Sequence, residues 1–269
     1  MHKRRFLQLS ALVFLAPMSL MPAYSAEDAD KFPHRKTYPE LKEKYIEIDA
    51  LSKTIGDYLV VDTRSPFEYS VMHIQDAINI PVDDRKFVDD SKKAYAEAKK
   101  KILYYCNGTT CEKTYVAGMK ATKGGFSEFM LYDGGIGEWA KVNPQQTVLL
   151  GKPLDPKLLI SADKFKAHTL PPLEFMKRAQ AQPTAMVIDI RSPSEREGIN
   201  LFPGRDISTG FDLGKINKAL VSAKEANLPV YAYDNAGHQI KSLQYLFEEQ
   251  GVKDYYLMSG GMQEYYKLK

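Results

Sequence analysis

Cysteine, histidine and net charge are all scarce in this chain, and each scarcity closes off a class of function. Two cysteines among 269 residues are too few to staple a fold. An apolar fraction of 44% is enough to bury real cores without them. A metal centre needs several Cys or His ligands at close spacing, and the five histidines are scattered, so no metal site is expected. Basic and acidic residues number 37 and 34, leaving a net charge of only +3. With both signs interspersed, there is no electrostatic case for nucleic acid. The most basic run, Lys92–Lys101, reads as the solvated face of a helix. Beyond the N-terminus no apolar run is long enough to span a membrane.

The N-terminus itself reads as a targeting segment. Lys3, Arg4 and Arg5 make a charged start, Leu7–Leu20 is apolar, and Ala23-Tyr24-Ser25-Ala26 offers small residues to a signal peptidase. Pro17 and Pro22 break the apolar stretch, which is short for an uncleaved anchor. Residues 1–26 are therefore assigned to a signal peptide. The mature chain is expected in the periplasm, with no stable membrane insertion after cleavage. "KRRFLQ" resembles the twin-arginine export signal. No cysteine follows the apolar run, which argues against a lipid anchor.

What is present is a repeat. "VVDTRSPFEYSVMHIQDAINIP" (Val60–Pro81) aligns without a gap on "VIDIRSPSEREGINLFPGRDIS" (Val187–Ser208). Downstream, "GGFSEFMLYDGGIGEW" parallels "EQGVKDYYLMSGGMQEY". Two domains of one fold are expected over 40–145 and 158–269, with the proline-containing 146–157 as linker. In the first half Leu59–Asp62, Ile102–Cys106 and Phe129–Tyr132 are strand-like, while Ala94–Lys101 and Thr114–Thr122 have helical composition. The second half repeats the alternation with strands at Ala185–Ile190, Pro229–Tyr233 and Tyr255–Met258 and a helix near Ile240–Gln250. Alternating strands and helices predict an α/β fold, a doubly wound and mostly parallel sheet with helices on both faces. Ligands bind such sheets at the carboxyl ends of the strands.

At that end stand two related loops, "YYCNGTTCEKT" (Tyr104–Thr114) and "YAYDNAGHQIKS" (Tyr231–Ser242). In each, a lysine lies seven residues past the leading Cys106 or Asp234, and a hydroxyl follows it. A strand, a tight polar loop and a helix start gather backbone N–H groups into an anion cradle, helped by the helix dipole. A cysteine at its mouth is expected to have its thiolate stabilised. Asn107, Gly108, Thr109, Thr110, Cys111, Glu112 and Lys113 are the expected substrate-binding loop. Asp234 cannot act as such a nucleophile, and is expected to accept its own cradle's N–H groups in a degenerate second site.

These residues resemble the rhodanese family of sulfurtransferases over nearly all of the mature chain. Asp-x-Arg-Ser-Pro-x-Glu-Tyr, His73-Ile74-x-x-Ala77-Ile78-Asn79-Ile80-Pro81, Tyr-Tyr-Cys106 with its glycine-containing loop, and Gly134-Gly135 before Trp139 are similar to family motifs. The resemblance implies two tandem rhodanese-like domains. It also implies that Cys106 accepts a sulfane sulfur as a persulfide, typically from thiosulfate, and passes it to cyanide or a thiol. No metal or organic cofactor is implied. The loop departs from the common six-residue form by being longer and by holding Cys111, and resembles a subset with a Cys-Asn-Gly-Pro-x-Cys loop. The thiol also lies in the N-terminal half rather than the C-terminal half.

Other readings stand beside this one. Cys106 and Cys111 could form a structural disulfide, although so short a loop would gain little stability. Cys111 is either a resolving thiol or a passive neighbour. A dithiol redox cycle and a non-catalytic sulfur- or protein-binding module are the rival functions. A phosphatase or arsenate reductase would want an arginine in the loop, and none is present. Asp62/Arg64 and Asp189/Arg191 recur in both halves, so they are expected to be structural carboxylate–guanidinium pairs. His73 faces Asn200 in the repeat and is expected to be a hydrogen-bonding turn residue, and Trp139 a core residue. Lys113 has a counterpart in Lys241, and its charge serves either the site or the surface.

Overall fold

The computed structural model describes residues 31–196 and 200–268. The proposed signal peptide lies outside them. In the first half the order is α1 (Ile48–Thr54), β1 (Tyr58–Asp62), α2 (Pro66–Val71), β2 (Met72–Ile74), β3 (Ile78–Asn79), α3 (Phe87–Ala98), β4 (Lys101–Tyr105), α4 (Lys113–Lys123), β5 (Phe129–Tyr132) and α5 (Gly135–Val142). There follow β6 (Thr147–Leu149), β7 (Lys152–Pro153), α6 (Ala162–Ala167), β8 (Thr169–Leu170), α7 (Pro172–Ala181), β9 (Met186–Asp189) and β10 (Asp206–Ser208). The chain closes with α8 (Leu213–Glu225), β11 (Val230–Tyr233), α9 (Ile240–Gln250), β12 (Tyr255–Met258) and α10 (Gly261–Tyr266).

Two parallel sheets result, ordered β3-β1-β4-β5 and β10-β9-β11-β12-β8. The strand sequences alternate between two apolar faces. Val60, Leu103 and Tyr105 enter one core cluster, while Val61, Ile102 and Tyr104 enter another. Burial on both faces is what a parallel sheet requires. The first cluster continues through Phe67 of α2 and Trp139 of α5 into Ile188, Val230, Leu243 and Phe247 of the second half. The two sheets therefore share one continuous inner core, and at its edge Phe67 meets the exposed Phe211 with ring centroids 5.6 Å apart. The outer faces are covered separately, by Phe87, Tyr115 and Ala121 in the first half and Phe175, Ala179 and Met262 in the second.

Three expectations change. The helix placed at Ala94–Lys101 is α3, which starts at Phe87 and stops at Ala98. Lys99 adopts a left-handed conformation (φ 52°) that ends it, and Lys101 opens β4. The segment read as a linker forms β6 and β7, which extend β2 into an antiparallel three-stranded sheet. His73 lies within β2 rather than a turn. Its Nδ1 is 2.7 Å from the Tyr69 carbonyl and its ring stacks on Tyr69.

Residues before β1 form a strap of two 3-10 turns, Pro33–Lys36 and Pro39–Lys44. Arg35 donates to both oxygens of Asp133, which follows β5, at 2.7 and 2.8 Å. Tyr38 stacks on Tyr115 of α4. The strap ends at Tyr45, which bridges Leu131 in parallel, so β5 is flanked as β12 is by β8.

Candidate active site

Cys106 follows the last residue of β4, an interior strand, at the carboxyl end of the first sheet. Its carbonyl accepts from Ile136 N–H at 2.9 Å, and that of Asn107 from Gly137 N–H at 3.2 Å, so the start of α5 grips the loop. The grip depends on Gly135 (φ +62°). A Cβ there would stand 2.4 Å from the nitrogen of Gly108 and 2.6 Å from the carbonyl oxygen of Cys106. On the opposite side Asn107 is held at both ends of its amide. Its Nδ2 donates to Glu68 Oε1 at 2.6 Å and its Oδ1 accepts from Arg64 Nη1 at 3.1 Å.

Those two partners are themselves fixed. Arg64 donates to Asp62 through Nε and Nη2, at 2.9 and 2.6 Å, and both side chains are buried. Tyr105 Oη donates to the same carboxylate at 2.7 Å. Glu68 completes a capping box with Ser65 at the start of α2. Burial works against its charge, but the Arg64 cation and the bonds from Asn107 and Ser65 outweigh it and hold the carboxyl below its ordinary range. The second half repeats the pair: Arg191 Nη2 meets Asp189 Oδ2 at 2.7 Å, while Arg191 Nη1 turns to the carbonyl of Glu195.

The expected thiol at the loop's mouth is not Cys106. That side chain is 0% exposed, beneath the loop. Its Sγ–H donates to the Cys111 carbonyl at 3.4 Å. Burial pushes its pKa well up and the neighbouring Cys111 adds to this, against the Gly108 N–H and the Thr114 hydroxyl. The stabilised thiolate belongs to Cys111. The Cys106 thiol, with the N–H groups of Asn107 and Lys113, lowers the Cys111 pKa to about 7 in spite of burial. Both thiols are free. Depth in a fold leaves no mark on a sequence, which is why the spacing did not show Cys106 to be covered.

Cys111 lines a cleft of about 600 Å³ with Glu68, Asn107, Lys113, His238 and Gln239. Thr110 and Glu112 lie on its rim, where His34 Nε2 is 3.2 Å from the Thr110 carbonyl and Tyr38 donates to Glu112. Lys113 is tied to Asp83 at 2.6 Å. Burial disfavours its charge, and Asp83 outweighs this to raise its pKa. Thr109 is half-buried and outside this lining, and Trp139 is core. Glu68 and Gln239 did not stand out as site residues. Glu68 was visible inside the shared Asp-x-Arg-Ser-Pro-x-Glu, and Gln239 as the repeat counterpart of Cys111.

Across the cleft, Asp234 occupies the place of Cys106 at the end of β11. Its Oδ1 accepts from Gly237 N–H at 2.5 Å and its Oδ2 from Gln239 N–H at 2.8 Å. Burial raises its pKa against those two bonds. Met262 and Gln263 N–H groups grip this loop as Ile136 and Gly137 grip the first.

The sequence profile of the Rhodanese-like domain matches residues 47–142 and 172–268. The chain belongs to the rhodanese-like domain family. Membership supports a sulfurtransferase-like activity and accounts for both parallel sheets. A tRNA uridine(34) hydroxylase of Escherichia coli is 38% identical over 95 residues, which are 34% of this chain and 26% of that protein. The match thus spans about a quarter of the length of the curated relatives. Among solved structures, the BH2092 protein of Bacillus halodurans is 26% identical, covering 50% of this chain and 98% of that one, with a TM-score of 0.36. Thiosulfate sulfurtransferase of Pseudomonas aeruginosa is 16% identical, covering 83% and 42%, with a TM-score of 0.36.

Proposed function

We propose that this rhodanese-like chain is an exported sulfurtransferase that moves a sulfane sulfur, for example from thiosulfate, to a thiophilic acceptor through a persulfide on Cys106. The carrying observation is the thiol at the end of an interior strand, at the start of a loop that the Ile136 and Gly137 N–H groups hold by its carbonyls. The ionised Cys111 takes the Cys106 proton. The Cys106 thiolate then attacks the outer sulfur of thiosulfate, the sulfur–sulfur bond breaks, and sulfite leaves with the electron pair. Cyanide or a thiolate attacks the terminal sulfur and Cys106 departs as thiolate. Loop N–H groups stabilise the charge that develops. Because Cys106 is fully covered, loading requires the Asn107–Cys111 segment to lift.

The test is intact-mass measurement after thiosulfate treatment. One cyanide-labile sulfur per chain, lost in Cys106→Ser, is expected; an unchanged mass refutes the reading. Export, with residues 1–26 removed, is checked by N-terminal sequencing of secreted material, and a chain still beginning at Met1 refutes it. A dithiol cycle is the second reading, favoured by the side-chain interaction between the two thiols. It expects a loop disulfide that dithiothreitol reduces, and no sulfur adduct.

A further inference from the structure

The two repeat loops face one another, and equivalent positions line the same space. Thr110 and Cys111 of the first loop and His238 and Gln239 of the second all border the cleft. In the first loop the sixth position after the strand is a thiol. In the second it is an amide that leaves its own domain. Ser65 Oγ donates to Gln239 Oε1 at 3.1 Å, and Gln239 Nε2 donates to Glu68 Oε2 at 3.3 Å. The backbone N–H of Gln239 is meanwhile anchored on Asp234 at 2.8 Å.

These contacts join into one path. Asp234 fixes Gln239, Gln239 reaches Glu68, and the other oxygen of Glu68 holds the Asn107 amide at 2.6 Å. Asn107 is the residue next to the covered thiol. The path crosses between domains only at Gln239, where its acceptor is a buried carboxylate held in its charged form. A hydrogen bond to such a group contributes more than one between neutral partners.

We propose that Gln239, in the domain that lacks the thiol, is a positioning residue for Cys106: acting through Glu68, it holds the Asn107 segment closed over the sulfur and so sets access to it. The carboxylate at position 234 then has a task of its own, which is to keep the Gln239 backbone in register with the opposite loop. The inference rests on the proposed role of Cys106 only for its meaning in catalysis; the latch itself is a property of the resting protein.

The experiment is therefore one that needs no sulfur transfer. The full-length mature protein, as wild type, Gln239→Ala and Gln239→Glu, is treated with iodoacetamide at one pH. Modification of the two cysteines is then followed separately by peptide mass. Gln239→Ala is expected to speed alkylation of Cys106 about ten-fold, the factor that loss of one hydrogen bond to a charged group represents. Cys111, already in the cleft wall, should keep its rate. Gln239→Glu, which sets a second carboxylate against Glu68, should speed Cys106 further. An unchanged Cys106 rate in both variants overturns the proposal. So does a parallel acceleration of both cysteines, which would mark general loosening. A wild-type protein that takes no sulfur from thiosulfate would refute the transferase reading and leave these alkylation results to judge the latch.

Discussion

Replacing Asp62 by Ala tests the frame on which the Cys106 loop rests. The Asp62 carboxylate accepts from the Arg64 backbone N–H at 2.9 Å, from Nε and Nη2 of the same arginine, and from Tyr105 Oη. Without it the Arg64 guanidinium, 2% exposed, keeps the Met72 carbonyl and Asn107 Oδ1 as neutral partners. Removing one member of a buried ion pair costs about 3–5 kcal/mol; the Glu68 carboxylate still faces the Arg64 charge, which puts this loss at the lower end. For a domain of this size that lowers the melting temperature by more than about 10 °C. Asp189→Ala removes the matching carboxylate beside Arg191, whose side chain is 1% exposed, and should also destabilise the protein. The two variants part at the site. Arg64 reaches Asn107, whereas Arg191 reaches the Glu195 carbonyl, so only Asp62→Ala should slow sulfur loading of Cys106 in protein that is still folded. Circular dichroism melts and intact mass at low temperature read the two effects. A loss below about 1 kcal/mol in either variant would refute the buried-pair argument, and equal slowing in both would refute the link from Arg64 to the loop.

Other expectations follow from the loop itself. Cys106→Ser should abolish thiosulfate:cyanide activity. Cys111→Ser should retain much of it with a pH optimum moved upward, since Cys106 must then release its proton to solvent; an active Cys106→Ser would reassign the nucleophile. Cys111, lowered to about 7, should gain reactivity toward iodoacetamide as pH rises through neutrality and level off above. Cys106, raised by burial, should keep gaining at alkaline pH, and the reverse order in a pH series of peptide masses would count against the described pair. Gly135→Ala should displace the loop and cost at least about 1–3 kcal/mol through its left-handed backbone. Gly137→Ala, whose Cβ would meet only the Asn107 carbonyl at 3.2 Å, should be milder. Melting curves and sulfur loading compare the two, and a tolerated Gly135→Ala would show that the loop has slack.

Much of the sheet could be read from apolar runs, because strands buried on both faces are apolar at every position. Phe129–Tyr132 and Tyr255–Met258 are β5 and β12 to the residue, and Ile240–Gln250 is α9. The short pieces escaped. β6 and β7 carry a glycine turn and a proline, and they are strands only because β2 offers its edge. The strap has no periodicity to show, since 3-10 turns this short are fixed by Arg35 and Tyr38 reaching residues far along the chain. At the site, the repeat pointed to both loops and to the ion pairs. It could not give the depth of Cys106, which depends on how the loop folds over its own strand, or the reach of Gln239, which depends on how two domains dock.

The strap also bears on the order in which the cleft comes into being. Arg35 is clamped by Asp133, and Tyr38 rests on a ring of α4, so the strap has no seat until β5 has joined the sheet. Closing so long a loop is slow compared with the local contacts of α4 and β4. Docking of the strap is thus a late event in folding of the first domain. Until it occurs, the rim formed by Thr110 and Glu112 lacks the covering of His34 and Tyr38.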